Sequence, residues 1–293
     1  MSNGDLPDLP CFLNGEFTSL SQAKVSVLDR GFIFGDGVYE VVPVYEQKPF
    51  RFEQHMARLE RSLGELRIPN PKSRAQWRLL VDQLAAAYAK QQGQSAAQLV
   101  YLQITRGVAM RDHVMIPGLT PTVFAMVNRL YIYSEEERAR GLACITADDF
   151  RWKKAHIKSI SLAGAVLARQ LSADQDAAET IMFRDGYLSE AASSNVWIVK
   201  NGVVLGPPKD NLVLEGIRYG VLEELCMENK IPFELRRVSR AEVLQADEIL
   251  LSSATKEVIA VTQLDGKPVA NGHPGPIYDK LYAGYQRAKL ASA

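Results

Sequence analysis

A lysine and a glutamate in the second half of the chain lie in local sequences that suit covalent and acid–base chemistry. Lys158 lies in HIKSISLAGAV, among apolar and small residues. We expect a partly buried amine there, because desolvation favours the uncharged, nucleophilic form. Glu190 lies in LSEAASSNVW, a stretch too small and polar for a protein core. Each has an ordinary alternative: a lysine that extends its amine to solvent, and a carboxylate that caps a turn or helix.

An arginine and a histidine near the middle of the chain could bind a carboxylate. Arg111 and His113 lie two residues apart in YLQITRGVAMRDH. On an extended segment such residues project to the same side, where both can donate charge-assisted hydrogen bonds. The alternative is a solvated loop with scattered charges.

Two glycines in FGDGVYE, Gly35 and Gly37, form a further candidate for ligand contact. A third glycine is missing at the offset of a dinucleotide-binding loop, and the chain has no GK[ST] loop for phosphates. The two glycines are therefore either turn residues or points of close backbone approach.

Composition excludes several classes of function. The 293 residues are 47% hydrophobic and carry 34 basic and 34 acidic side chains, which gives no basic surface for nucleic acid or an anionic membrane. The polar, acidic start (1–10) does not resemble a signal peptide, and the apolar runs are too short to span a bilayer. Three widely spaced cysteines and four scattered histidines predict neither disulfides nor a metal site. We therefore expect a cytoplasmic protein without a metal.

Hydrophobic periodicity predicts alternating strands and helices around these candidates. In the first half the expected elements are a hairpin at Asn14-Gly15, strands over 38–45, 99–105 and 123–127, and helices from 56 to about 69 and over 74–90. The charged segment 128–141 is interpreted as a hinge, or alternatively as a solvated helix that links two strands. The second half is expected to have strands over 142–146, 180–184, 195–200 and 248–252, and helices over 162–173, 216–229 and 277–289.

Six ordered sequence blocks together resemble the fold-type IV pyridoxal-phosphate enzymes, which include D-amino acid transaminases, branched-chain transaminases and aminodeoxychorismate lyase. The resemblance covers nearly the whole chain from about Phe12. The blocks are RGFIFGDGVYEVV (30–42), HMARLERS (55–62), IKSISLAGAV (157–166), LSEAASSNVW (188–197), LEGIRYGVLEEL (214–225) and DEILLSSATKEV (247–258).

The resemblance implies an α/β, two-domain fold with the cofactor, pyridoxal 5'-phosphate, between the domains. The expected domains are a smaller N-terminal α/β domain (1–130), a linker (131–141) and a larger C-terminal domain with a barrel-like sheet (142–293).

The same resemblance assigns roles in binding the cofactor. Lys158 would form the Schiff base and later move the proton, and Glu190 would pair with the pyridine nitrogen. The phosphate would be held by Arg58, Ile217, Arg218, Ser253 and Ala254. Many relatives have Thr in place of Arg218, and some D-specific ones have Thr in place of Ala254, so backbone donation is expected at these two positions.

Within the family, the Arg111 and His113 pair resembles the carboxylate trap of D-amino acid transaminases, with Tyr39 and Tyr101 beside it. Arg106 is a competing arginine outside the matching position. In that subfamily the trap comes from the neighbouring subunit, so the resemblance implies a homodimer with shared active sites. The expected reaction is ping-pong transfer from a D-amino acid such as D-alanine to 2-oxoglutarate or pyruvate. Alternatives are a branched-chain L-amino acid transaminase, an aminodeoxychorismate lyase and a cofactor-binding protein without turnover.

Overall fold

The structure is a computed structural model that describes residues 8–93 and 97–291. They form two compact units: the first comprises the residues up to 131 together with 157–161, and the second comprises 132–156 and 162–291. Residues 1–7 of the polar N-terminal stretch lie outside the described residues. The predicted domain boundaries stay a prediction, because a compact unit is not by itself an independently folding domain.

The first unit contains a mixed sheet-and-helix fold. Its described strands pair in the order β2-β1-β6-β5-β3-β4, with every neighbouring pair antiparallel. The elements are β1 (Pro10–Leu13), β2 (Glu16–Ser19), α1 (Arg30–Phe34), β3 (Gly37–Tyr45), β4 (Lys48–Pro49), α2 (Phe52–Glu65), α3 (Arg74–Gln92), β5 (Gln98–Thr105) and β6 (Thr122–Arg129).

Two long helices cover one face of this sheet and close its core. In α2 the apolar spacing places Met56, Leu59 and Leu63 on one buried stripe. Helix α3 begins at a capping box in which Ser73 and Gln76 exchange side-chain to backbone hydrogen bonds. Its buried residues join the same apolar cluster as the inward-facing side chains of β3 and β5. The helices predicted for this half are confirmed.

The second unit is built on a larger sheet. Among the described strands the order is β12-β11-β10-β13-β14-β7-β8-β9, and β15 pairs with β14. The elements are α4 (Glu135–Arg140), β7 (Leu142–Asp148), α5 (Ala163–Ala173), β8 (Glu179–Arg184), β9 (Tyr187–Ala191), β10 (Asn195–Lys200), β11 (Val203–Gly206), α6 (Arg218–Glu228), β12 (Phe233–Leu235), α7 (Arg240–Leu244), β13 (Glu248–Ser253), β14 (Glu257–Leu264), β15 (Lys267–Pro268) and α8 (Pro276–Ala291).

This sheet curls, as the expected barrel-like form requires. Strand β9 lies at one end of the strand order and β10 lies near the other, yet only residues 192–194 connect them. A flat sheet could not be spanned by so short a link, because neighbouring strands are about 4.8 Å apart. Side chains on the concave side of the curled sheet therefore face one another, which favours a ligand site.

Several elements differ from the sequence predictions. Helix α1 and strands β9 and β14 were not predicted, and α6 begins at Arg218 rather than at residue 216. The 128–141 segment contains α4, where buried Arg138 donates to Glu257. Of the two interpretations of this segment, the structure therefore shows the helix that links two strands. A hinge in this segment stays a prediction. Within residues 8–93 and 97–291, no helix is both long and apolar enough to cross a membrane.

Removal of a core side chain from β5 tests the packing of the first unit. Leu102 is fully buried, and Leu102→Ala should lower the free energy of unfolding by about 2–5 kcal/mol, since it leaves a cavity. Leu79 on α3 is 57% exposed and serves as the matched control, with an expected loss below about 0.5 kcal/mol. The measurement is the urea unfolding midpoint. Equal losses in both variants would contradict this packing.

Candidate active site

The segment that carries Lys158 pairs with the free edge of β3. The Tyr39 N–H donates to the Lys158 carbonyl oxygen at 3.0 Å, and the Ile160 N–H donates to the Gly37 carbonyl oxygen at 3.0 Å. A hydrogen bond of 3.2 Å from the Lys158 N–H to the Ser62 hydroxyl ties the segment to α2. Lys158 is therefore held by its backbone, which leaves its side chain available for chemistry.

The Lys158 amine lies over an aromatic ring. Its Nζ is 4.0 Å from the centroid of the Tyr39 ring, within cation–π distance. Tyr39 stacks on Tyr101 at 5.7 Å, and the Tyr101 hydroxyl donates to Gln103 at 2.8 Å. Burial, together with the neighbouring Tyr39, raises the pKa of Tyr101 to about 12, so this phenol stays protonated near neutral pH.

The two glycines of FGDG allow neighbouring segments of the chain to pass close to them. Gly35 caps α1 in the left-handed conformation (φ 66°), and a Cβ there would lie 2.6 Å from the Ser161 hydroxyl oxygen. A Cβ on Gly37 would lie 2.6 Å from the Ile104 carbonyl oxygen. Both of the alternatives considered for the glycines therefore apply, since Gly35 ends a helix and both positions require close backbone packing.

A buried carboxylate anchors Arg58. Glu40 accepts hydrogen bonds from Arg58 Nε at 2.7 Å and Nη2 at 2.8 Å, and its second oxygen lies 2.8 Å from His55 Nδ1. Burial alone would raise the pKa of Glu40, but the charge and hydrogen bonds of Arg58 and His55 hold it far below its usual range. Arg58 thus has a fixed orientation on α2, as an anion-binding arginine requires.

Arg111 and His113 meet at the ring of Phe34. The guanidinium carbon of Arg111 is 5.4 Å from its centroid, and the His113 ring is 5.2 Å away. Both residues are exposed, on a loop with bends at 110–111 and 113–114. The expectation of an extended segment is wrong, because the two side chains converge through packing on Phe34 rather than through strand alternation.

An ion-pair cluster fixes the base of this loop. Asp36 accepts from Arg30 Nε and from Arg106 Nε, each at 2.7 Å. Arg30 also donates to the Asp112 carbonyl oxygen, and Arg106 donates to backbone carbonyls of the segment after α2. Burial opposes ionisation of Asp36, but the two arginines lower its pKa below the usual value. Arg106 is therefore buried in a structural cluster and does not extend into solvent beside Arg111.

In the second unit Glu190 is buried, and nearby donors compensate its negative charge only in part. It accepts from Arg151 Nη1 at 2.9 Å and from the Leu214 N–H at 3.0 Å. Arg151 is shared with Asp149, to which its Nε donates at 2.9 Å. Burial raises the pKa of Glu190 above its usual value despite the opposing charge of Arg151. This carboxylate is therefore suited to receive a further proton or cationic N–H.

An asparagine ties Glu190 to the segment that opens α6. The Asn195 side-chain amide donates to the Leu214 carbonyl oxygen at 2.8 Å, and a Cβ on Gly216 would lie 2.1 Å from Asn195 Oδ1. A side chain at 216 would displace the Asn195 amide from this position. The N-terminus of the 11-residue helix α6, with Ile217 as its cap, is thus held at a fixed spacing from Glu190, and its free N–H groups suit a phosphate.

The side chain of Arg218 is directed toward α8. It is 2% exposed, and its Nε donates to the Tyr285 hydroxyl at 3.1 Å. This geometry favours backbone rather than side-chain donation at position 218. Ser253 ends β13 and Ala254 opens the turn that follows, so both can present backbone N–H groups at the sheet edge.

Comparisons with known proteins identify the family of this chain. The profile of the family described as Amino-transferase class IV matches residues 37–264. The chain belongs to this family. The D-alanine aminotransferase of Bacillus licheniformis is 37% identical over 95% of this chain and 96% of its own, and that of Staphylococcus aureus (strain MSSA476) is 36% identical over 94% and 96%. The branched-chain aminotransferase of Thermoproteus uzoniensis, solved with norvaline, has a TM-score of 0.87, 22% identity and coverage of 98% of this chain and 96% of its own.

The family uses pyridoxal 5'-phosphate, and the residues present fit this cofactor. Among residues 8–93 and 97–291, no carboxylate lies within ion-pair distance of the Lys158 amine. The buried Glu190, with its raised pKa, suits a protonated pyridine nitrogen. In the same described part of the chain, no group of three histidine, cysteine or acidic side chains could hold a metal ion.

The residues that hold the candidates in place were not predicted from the sequence. Arg151 and Asp149 had no local signal, because their role depends on Glu190, 39 residues beyond Arg151. Glu40 was within a quoted block, but its partners His55 and Arg58 lie on α2. Asn195 was within a quoted block, but its role depends on the Gly216 backbone. The roles of the candidates themselves stay predictions.

The Glu40 cluster predicts a pH-dependent stability. Glu40→Gln removes the buried negative charge to which Arg58 donates and should cost about 3–5 kcal/mol of unfolding free energy near neutral pH. Because the native pKa of Glu40 is lowered, this difference is present above the ordinary value of 4.5 and shrinks as pH falls below it. Urea unfolding at about pH 7 and about pH 3.5 measures it.

The matched control is Glu53→Gln on the same helix, because the Glu53 side chain is 66% exposed. It should change stability little at either pH. A Glu40→Gln deficit that grew on acidification would contradict the buried ion pair.

Proposed function

We propose that this chain is a transaminase that transfers the amino group from a D-amino acid, such as D-alanine, to a 2-oxo acid, such as 2-oxoglutarate or pyruvate, in two half-reactions. The observation that carries the proposal is the half-buried Lys158 amine, which lies over Tyr39 with no acidic partner among the described residues. Relatives named D-alanine aminotransferase, similar over nearly the whole chain, support the choice of donor.

When bound, pyridoxal 5'-phosphate supplies an electron sink that acidifies the α-carbon and carries the amino group between the half-reactions. Lys158 would hold it covalently. Arg58, fixed by Glu40, would bind the phosphate, together with backbone N–H groups at Ile217 and Arg218 and at Ser253 and Ala254.

Two side chains would carry the proton chemistry. The Lys158 amine, once released from the cofactor, would move the proton between the substrate α-carbon and the cofactor carbon, in opposite directions in the two half-reactions. Glu190 would pair with the pyridine nitrogen and keep it protonated. Arg151, which donates to both Glu190 and Asp149, would be a positioning residue that holds this carboxylate in place.

The substrate carboxylate would be bound by Arg111 and His113, with Tyr39 and Tyr101 beside the reacting amine. Arg111 supplies a planar pair of donors and His113 a further one, and both lie against Phe34. A carboxylate anchored in one place presents one face of the α-carbon to Lys158. Handedness would therefore follow from the position of the anchor.

The chain would act as a homodimer in which Arg111 and His113 serve the neighbouring subunit's site. Large apolar side chains are exposed around these two residues, as expected of a surface covered by a second copy. They include Val27 and Phe32 at 71% exposure, Met110 at 76% and Val114 at 65%. The three cysteines are buried and unpaired, which supports a reducing compartment such as the cytoplasm.

Two other activities use the same cofactor site. A branched-chain L-amino acid transaminase would prefer L-leucine to D-alanine and would not need Arg111. An aminodeoxychorismate lyase would release pyruvate without an acceptor. The relatives at 36–37% identity favour the D-amino acid reaction over both.

Trapping the cofactor tests the role of Lys158. After borohydride reduction and digestion, the label is expected on the peptide that contains Lys158. Lys158→Ala should lower turnover of D-alanine with 2-oxoglutarate by at least about a hundredfold, the usual contribution of a positioned general base. Lys153→Ala, an exposed lysine five residues earlier, is the control. A label on another peptide would overturn the assignment.

Donor panels of both enantiomers, with and without an acceptor, separate the three activities. D-amino acids should react and L-leucine should not, and pyruvate should not appear from aminodeoxychorismate alone. A preference for L-leucine would replace the proposed activity with the branched-chain one.

Mixing two inactive variants tests the shared site. Arg111→Ala should raise KM for the donor, and Lys158→Ala should abolish turnover. If Arg111 serves the partner, random subunit exchange between the two variants restores about a quarter of the sites to full composition. Turnover should then reappear at low donor concentration.

Arg129→Ala, an exposed arginine at the end of β6, is the control and should leave KM unchanged. Mixing that restored no activity, although exchange was verified by mass, would place Arg111 in its own subunit's site.

A further inference from the structure

A second lysine lies at the turn that presents the proposed phosphate donors. Residues 254–256 connect β13 to β14, whose last pair is Ser253 with Glu257. The Lys256 N–H donates to the Ser253 hydroxyl at 3.1 Å. Glu257 has φ 61°, a left-handed conformation that costs energy for any residue except glycine. The turn therefore needs outside contacts to keep its shape.

One of those contacts is an ion pair between Lys256 and Glu179. The Lys256 amine donates to Glu179 Oε2 at 3.0 Å, and the side chains are 12% and 0% exposed. Glu179 lies at the start of β8, far from Lys256 in sequence. Its other oxygen, Oε1, is buried with no hydrogen-bond partner among the described residues. Removal of Lys256 would therefore leave a poorly compensated buried charge.

The same carboxylate also holds the segment that follows Glu190. Glu179 Oε2 accepts from the Ser193 hydroxyl at 2.6 Å and from the Ser194 hydroxyl at 3.1 Å. The Lys256 amine donates to the Ser193 hydroxyl as well, at 3.2 Å. One buried carboxylate thus joins the turn after β13 to the link between β9 and β10, three and four residues beyond Glu190.

A buried ion pair adds little to the free energy of unfolding, because the cost of desolvating the two charges offsets most of their attraction. What such a pair does well is fix one geometry, since its hydrogen bonds are directional. Here the pair joins the turn proposed to bind the phosphate to the link that follows Glu190, the residue proposed to pair with the pyridine nitrogen. The pair is therefore placed to set the spacing between these contacts.

We propose that Lys256 is a positioning residue that, through Glu179, locks the Ser253–Lys256 turn to the Ser193–Ser194 link and thereby orients the turn's backbone donors toward the cofactor phosphate. This inference rests on the proposed function, because it takes Ser253 and Ala254 as phosphate donors. The inference predicts that loss of Lys256 weakens binding of the cofactor phosphate and leaves binding of the pyridine ring intact.

Titration of the full-length apoenzyme with pyridoxal 5'-phosphate and with pyridoxal, which lacks the phosphate, tests this prediction. Lys256→Met should weaken binding of the phosphorylated cofactor roughly tenfold, the size of one lost charge-assisted hydrogen bond. Its binding of pyridoxal should match the wild type. Lys256→Arg keeps the positive charge and the donors and should restore most of the affinity.

The control is Lys200→Met, at a lysine away from this turn. Lys200 ends β10 and pairs with Asp247 at 3.1 Å. This variant removes an ion pair that does not involve the turn and should bind both cofactor forms as the wild type does. If Lys256→Met alone fails to fold, the double variant Glu179→Gln with Lys256→Met removes both charges, and the same selective loss is expected.

Equal weakening of both cofactor forms would overturn the inference and make Lys256 a residue of the fold only, and so would unchanged binding of both. Borohydride labelling of the wild type separates this failure from failure of the proposed function. A label on Lys158 without phosphate-selective loss rejects the positioning role alone, whereas no label on Lys158 rejects both.

Discussion

The candidate site depends on the pairing of a five-residue segment with an unpaired strand edge. Strand β4 covers β3 only at its end, where Val44 and Tyr45 pair with Pro49 and Lys48. The other end of β3 would expose its backbone groups, which is costly and prone to aggregation. Residues 158–160 satisfy those groups instead. Lys158 therefore occupies its place because the sheet needs a partner there. Gly35 is small because Ser161 of that segment passes so close, whereas Gly37 is small because the Ile104 carbonyl of β5 lies against it.

Buried ion pairs fix the positions of the other loops that carry candidate residues. Two acids near the candidates accept from basic side chains in distant parts of the chain: Asp36 from Arg106 and Glu179 from Lys256. Such pairs contribute little net stability, but each becomes strongly unfavourable when one partner is removed. They fix the loops that carry the functional side chains, since the loops have few apolar contacts of their own. Orientation rather than stability is thus the main effect of these pairs.

Much of the fold could be predicted from the sequence because its signals are local. The Asn14-Gly15 hairpin, the apolar stripe of α2 and the strand over 195–200 follow from turn chemistry and periodicity, and the structure confirms them. Helix α1 was missed because five residues give no period, and β14 because its start at Glu257 is charged and has a left-handed backbone. The curl of the second sheet follows only from the strand order, which no local pattern encodes.

For the site, residue types were predictable and surroundings were not. Lys158 and Glu190 were found through sequence blocks and Arg111 through its spacing from His113. Their partners Tyr39, Arg151 and Phe34 are brought to them by the fold. Arg218 illustrates the limit. Backbone rather than side-chain donation was expected there, but the partner that the side chain finds, Tyr285, is 67 residues away and had no signal in the sequence.

The two buried glutamates show how an identical side chain acquires a structural or a functional character. Glu40 has an arginine that donates through two of its nitrogens, and a histidine besides, so the charged form is fully compensated and its pKa is depressed. Glu190 shares a single arginine with Asp149, and burial prevails, so its pKa is raised. A carboxylate whose charge is already balanced gains little from a further cation, whereas an undercompensated one gains much. Glu190 is therefore the one of the two that is suited to bind a protonated ring nitrogen, and Glu40 is suited to hold Arg58.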